Sequence, residues 1–126
     1  MKAKPLDYDP LSDSLLVIVP EREYRYSVML DDVILDFGKL GKNAENNEEK
    51  LDIVGFEILN ASEKFRVKKH MLRNIKKLKA KIEISKSSVK IKVEIYAFTR
   101  NREKFQSNVL EMSNEGIPSM VASISV

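Results

Sequence analysis

Apolar and polar positions change their period several times along the chain, and each change marks an element. Leu15-Leu16-Val17-Ile18-Val19 is an unbroken apolar run rich in β-branched side chains, bounded by the turn formers of Asp9-Pro10-Leu11-Ser12-Asp13 and by Pro20. Such a run is the mark of a buried strand. Tyr24–Leu30 and Val33–Phe37 predict two more strands, interrupted at Asp31-Asp32. Ile53–Leu59 predicts a fourth, with Val54, Phe56 and Ile58 on one face and Gly55 and Glu57 on the other. Gly38–Lys50, between the last two, is polar, carries Gly41 and Asn46-Asn47, and is long for a hairpin connection.

The period then lengthens. Phe65, Met71, Leu72, Ile75 and Leu78 recur near 100° per residue, with Val67 at the flank, and predict one amphipathic helix over about 62–79 packed on the sheet. Asn60, three residues before Glu63, supplies a start signal, and Ser62 is the competing cap. Lys64, Lys68 and Lys79 fall inside the apolar arc of this helix and must reach out to its edges.

Strict alternation follows. Ile82 and Ile84 alternate with Glu83 and Ser85, and Val89-Lys90-Ile91-Lys92-Val93-Glu94-Ile95 keeps the period of two, as a half-buried strand does. Turn signals at Thr99–Arg102 and Asn114–Pro118 set off closing strands at Phe105–Met112 and Ser119–Val126. The expected architecture is therefore α+β: one domain over 1–126, mostly antiparallel strands with a single helix. Its parts are a β-rich half over 6–62 and a helix plus β-meander extension over 63–126.

Composition narrows the chemistry. Cysteine is absent, which removes disulfides, thiolate nucleophiles and sulfur-ligated zinc. No run of about 18 apolar residues is present, so no membrane-crossing helix is expected. Lys2 and Lys4 lead into no signal-peptide core, which points to the cytoplasm. The net charge of +3 conceals an asymmetry, because acidic residues outnumber basic ones through Ser62 and the balance reverses from Glu63. That layout suits an anionic partner, or two halves that attract each other within one fold.

Tyr8-Asp9, Asp13 and Leu15, then Val33-Ile34-Leu35-Asp36-Phe37, then Val54-Gly55-Phe56-Glu57-Ile58-Leu59 with Ala61-Ser62, resemble a small prokaryotic family, domain-of-unknown-function family 2283. The resemblance runs over roughly Leu6 to Ser62. It implies antiparallel strands followed by a helix, and brings no activity and no cofactor. By association it implies an antitoxin-like partner of a small toxin. The long insertion at Gly38–Lys50 and everything beyond the helix depart from the family pattern.

Candidate chemistry is sparse, and no catalytic, metal-binding or cofactor-binding residue is assigned. Asp7, Asp9 and Asp13 are close enough in sequence for an oxygen-ligand metal site, the basis of a metal-dependent hydrolase reading. A calcium loop would need more acids, a glycine at its sharp turn and a closing glutamate, so an Asx turn at Asp9 and a capping Asp13 compete with it. Asp31, Asp32, Asp36 and Glu57 offer carboxylate pairs, against which stand a turn at Asp31-Asp32 and a wet position for Glu57. Gly38-Lys39-Leu40-Gly41-Lys42 lacks the spacing of a phosphate loop. His70 is the single histidine, with no elbow motif to serve it.

The strongest candidate is a basic helix face of Arg66, Lys69, Arg73 and Lys77, flanked by His70 and Lys76. It would track phosphates non-specifically or meet an acidic protein, with a solvated helix face as the competing reading. Met120, Ala122, Ile124 and Val126 share one face of the last strand; at a sheet edge that strand would pair with a second copy. The expected function is a small binding protein without catalytic activity.

Overall fold

The computed structural model describes residues 4–40 and 51–126. β1 (Leu6–Asp9), β2 (Ser14–Ile18), β3 (Arg22–Leu30), β4 (Val33–Leu40) and β5 (Asp52–Ile58) form one antiparallel sheet in the order β1-β2-β5-β4-β3. Two short helices follow, α1 (Ala61–Phe65) and α2 (Lys69–Leu72). A second antiparallel sheet, ordered β8-β7-β6-β9, comprises β6 (Ile75–Ile84), β7 (Ser88–Thr99), β8 (Arg102–Ser113) and β9 (Met120–Ser125). All four strands expected in the first half are present, and β1 adds a fifth. Of the polar connection expected over Gly38–Lys50, residues 41–50 lie outside the described residues, and Gly38, Lys39 and Leu40 are strand, extending β4.

The period of two decides what each sheet buries. In β7, Val89, Ile91, Val93, Ile95 and Ala97 are buried, and Lys90, Lys92 and Phe98 stand on the other face. Leu78, Ala80, Ile82 and Ile84 do the same for β6. Apart from Ala97, the inward residues of both strands share one core with Leu15, Val17, Val33, Leu35, Phe56 and Ile58 of the first sheet. Phe65 and Leu72 carry the two helices into the same core.

The α+β expectation is therefore wrong: this is a nearly all-β chain. The helix expected over 62–79 breaks twice. Arg66 turns into the left-handed region at φ 54°, and Lys68 is extended at φ −75°, ψ 147°. From Ile75 onward the chain is strand, paired with β7 from Ile75↔Ala97 to Ile84↔Val89 and interrupted by one bulge between Ile75 and Lys77. The physical reason is visible in the lysines. As a helix, the segment would hold Lys64, Lys68 and Lys79 against the apolar stripe. As a strand, Leu78, Ala80, Ile82 and Ile84 point inward while Lys77, Lys79 and Lys81 point to water. Apolar residues at Phe65, Leu72, Ile75 and Leu78 mimic a helical period only because three different elements each bury a residue.

Close approach dictates Gly55. It pairs with Ile18 on one side and Asp36 on the other, on the outer face of the first sheet. Asp36 lies across it to meet Arg22 Nη1 at 3.4 Å, and Asp36 Oδ1 accepts from the Ser27 hydroxyl at 2.6 Å. A Cβ on Gly55 would come within 2.7 Å of the Val17 carbonyl oxygen, 3.1 Å of Arg22 Nη1 and 3.2 Å of Asp36 Oδ2. The carbonyl is backbone within the sheet and cannot swing aside as a side chain can. We expect Gly55→Ala to destabilise the fold by about 1–3 kcal/mol, as overpacking does elsewhere. Thermal melts of the two proteins check this, and an unchanged midpoint would refute it.

Candidate functional site

Asp13 is the most heavily engaged side chain among the described carboxylates. The β1–β2 connection holds it at φ 54° with 9% of its surface exposed. Its Oδ1 accepts from the Tyr8 hydroxyl at 2.6 Å and from the Ser62 amide at 3.0 Å, and its Oδ2 accepts from the Ser62 hydroxyl at 2.6 Å. The Asp13 carbonyl accepts from the Ala61 amide at 2.9 Å. Helix α1 is thus capped from a distant loop, not by Asn60, which is left-handed and makes no side-chain cap. Burial alone would raise the Asp13 carboxyl, but the hydrogen bonds from Ser62 and Tyr8, with the charge of Lys69, prevail and hold it below the ordinary value. The Tyr8 phenol is pushed up, by burial first and Asp13 second, with Arg73 pulling the other way.

The other carboxylates are dispersed. Asp7 and Asp9 are exposed on the face of β1 opposite Tyr8, so the Asp7, Asp9, Asp13 trio does not converge. Asp9 makes the Asx turn, accepting from the Leu11 amide at 2.9 Å, and that bond is the main reason its carboxyl is lowered. Asp31-Asp32 forms the two-residue turn between β3 and β4, and Asp32 pairs with Lys64 at 3.2 Å. Glu57 and Asp36 sit on the outer face of the first sheet, on different strands and in different cross-strand rows. Among the described residues no group of three His, Asp or Glu is arranged to hold a metal ion.

The six predicted contact residues do not form a helix face. Arg66 ends α1, Lys69 and His70 lie in α2, Arg73 ends α2, and Lys76 and Lys77 open β6. Lys69 reaches back to the β1–β2 turn, donating to the Pro10 carbonyl at 3.1 Å. Lys76 and Lys77 go elsewhere, to a cleft of about 720 Å³ on the outer face of the second sheet. There the Lys76 ammonium lies 5.9 Å from the centre of the Phe98 ring, and that of Lys77 lies 5.9 Å from Tyr96. Tyr96 pairs with Phe105 across β7 and β8, ring centres 4.9 Å apart and tilted by 50°. Phe98 and Phe105 are 41% and 56% exposed. Glu103 and Lys104 complete the rim. The Tyr96 hydroxyl donates to Glu94 Oε2 at 3.2 Å; partial burial, then this bond and the Glu94 charge, push the phenol up.

Three aromatic rings on an open sheet face, beside two ammonium groups, have the chemistry to stack on a flat group and to meet negative charge. These aromatics are missed in the sequence because the alternation followed there stops at Ile95, four residues before β7 ends at Thr99. Glu94-Ile95-Tyr96-Ala97-Phe98 continues the same period and puts both rings on the wet face.

Comparison with known proteins assigns the chain a family. The profile described as "Protein of unknown function (DUF2283)" matches residues 6–44. An uncharacterised protein of Methanocaldococcus jannaschii is 34% identical over 115 residues, 90% of each chain. The chain belongs to the DUF2283 family. A protein of Methanosarcina mazei named "Putative hypoxanthine phosphoribosyltransferase" is 35% identical over 96 residues, 76% of this chain and 70% of that one. No solved structure matches. The profile match is shorter than the expected 6–62 and holds Tyr8, Asp13 and Asp36, whose partners lie beyond it: Tyr8 and Asp13 form one hydrogen-bonded lock with Ser62, and Asp36 is the cross-strand partner of Gly55. The aromatic cleft lies outside the part that the DUF2283 profile matches.

The lock makes a pH prediction. Folded Asp13 titrates below its unfolded value, so its stabilisation is complete above the ordinary carboxylate range and is lost as pH falls through the lower folded value. Asp13→Asn should cost about 1–3 kcal/mol at neutral pH. It should also flatten the decline in melting temperature below about pH 4 relative to the parent chain. Parallel acid limbs in the two proteins would sink the assignment.

Proposed function

We propose that this chain is a non-catalytic binding protein whose ligand is a nucleotide unit, a flat ring joined to a negative charge, seated on Tyr96, Phe98 and Phe105. The observation that carries the reading is the pairing of exposed rings with Lys76 and Lys77 in one cleft. Exposed cation–π contacts are worth only about 0.5–1 kcal/mol, so an incoming ring displaces an ammonium from Phe98 at small cost. The displaced ammonium then meets the phosphate. The cleft's size falls within the range of small-ligand sites, about 300–1,000 Å³. The Methanosarcina mazei relative adds support of the same chemical kind, since its name speaks of hypoxanthine and a phosphoribosyl group.

Transfer chemistry forms no part of the proposal. Asp13, the carboxylate most removed from water, spends both oxygens on Tyr8 and Ser62. Of the sequence-predicted cations, Lys76 and Lys77 carry the site, while Lys69 is engaged at Pro10. Arg66, His70 and Arg73 are exposed outside the cleft, and the two arginines contribute long-range charge.

The test is a titration with adenosine and inosine monophosphates at low salt, followed by amide chemical shifts. Shifts should concentrate around Tyr96, Phe98 and Phe105. Phe105→Ala should weaken binding at least fivefold, in keeping with about 1–3 kcal/mol per stacked base. Shifts scattered over the surface, or a Phe105→Ala protein that binds as well as the parent, would reject the platform.

A further inference from the structure

The outer face of the second sheet continues beyond the aromatic cleft in ordered cross-strand rows. Phe105, Tyr96 and Lys77 form one row, and Ser107, Glu94, Lys79 and Ser125 the next. Val109, Lys92, Lys81 and Ser123 form the third. Down β6 this aligns Lys77, Lys79 and Lys81, with the hydroxyls of Ser125 and Ser123 beside the last two on β9. Two carboxylates on this face hold surface ion pairs, Glu83 with Lys81 at 3.2 Å and Glu94 with Lys92 at 3.8 Å. Such pairs are weak in water, so a phosphate can take Lys81 from Glu83 at small cost. Lys79 makes no ion pair among the described residues, although Glu94 stands opposite it on β7; Glu111 lies on β8 away from the lysine row, while Glu103 shares the cleft rim with Lys76 and Lys77.

We infer that this face takes single-stranded nucleic acid, with bases at the aromatic cleft and the phosphate backbone running along Lys77, Lys79 and Lys81. The inference rests on the platform reading and extends it from a nucleotide unit to a polymer. Its physical basis is spacing. Alternate residues of a strand stand roughly 7 Å apart on one face, and an unstacked single strand reaches about as far from one phosphate to the next. An acidic protein surface would need no rings, whereas the aromatic end of the row recognises something flat. A duplex hides its bases and offers Phe98 and Phe105 nothing to stack upon.

Three lysines predict a short footprint, three to four nucleotides by the spacing above. Neutralising about three phosphates of a single strand gives a salt slope near −2, roughly a 20-fold loss between 50 and 200 mM salt.

The experiment is fluorescence anisotropy with 5′-labelled oligothymidylates of increasing length, run beside unlabelled thymidine monophosphate as competitor. Affinity should rise steeply up to about four nucleotides and then level off, given three contacts along the row. Lys79→Gln/Lys81→Gln should abolish that rise and leave monophosphate competition unchanged. Both side chains are exposed, and circular dichroism verifies that the variant is folded. Monophosphate and oligomer binding with equal strength would overturn the track and spare the platform. Binding of neither would overturn the platform as well. Duplex binding equal to single strand, or poly-glutamate competing as well as oligothymidylate, would overturn the assignment of single-stranded nucleic acid.

Discussion

One core between two sheets is the constraint on which the rest depends. Leu15, Val17, Phe56 and Ile58 from the first sheet and Leu78, Ile82, Ile91 and Ile95 from the second enter a single apolar cluster, and each is fully buried. Each sheet needs the other to bury its inner face. Once the inner face is assigned, the pleat assigns the outer one, so every exposed group on β6 and β7 follows from which residues went inward. The lysine row and the aromatic cleft are consequences of that burial.

The connection between the sheets has a different logic. Residues 61–72 span from β5 to the second sheet in two helices of five and four residues, too short to be stable alone. Their order comes from tertiary ties: Phe65 and Leu72 in the core, Asp13 capping α1, and Gln106 Nε2 donating to the Phe65 carbonyl at 3.2 Å. Asp13 is thus a strap between the β1–β2 turn and the crossover. A buried carboxylate is tolerable there because hydrogen bonds meet both of its oxygens.

The two halves also divide their labour. The stretch that matches DUF2283, residues 6–44, lies in the first sheet, and the roles of its Tyr8, Asp13 and Asp36 are structural: hydrogen bonds that cap a helix and a cross-strand pairing with Gly55. The second sheet presents the chemistry that suits a ligand. Family resemblance and candidate site therefore fall on different sheets. This accounts for a family motif that explains folding while saying little about binding.

The sequence by itself determined the strands whose two faces meet different surroundings. β6 from Ile82, β7 through Ile95, and the inward face of Met120, Ala122 and Ile124 were legible because water and core impose a period of two that no other element produces. The turns at Asp9, Asp31-Asp32 and Asn114–Pro118 were legible because their side chains carry the geometry locally. What only tertiary structure decided lay where residues far apart in sequence supply the missing partner. Asp13 caps a helix 49 positions away, so Asn60 and Ser62 carried no true cap signal. Leu78 pairs with Ile95 and hands its strand to β6, while Phe65 and Leu72, falling by chance near a helical period, belong to elements that end before it. The basic residues were visible from the start, but which of them stand beside aromatic rings is a matter of strand register across β6, β7 and β8. Register is set by the shared core, a long-range quantity that no local window of residues contains.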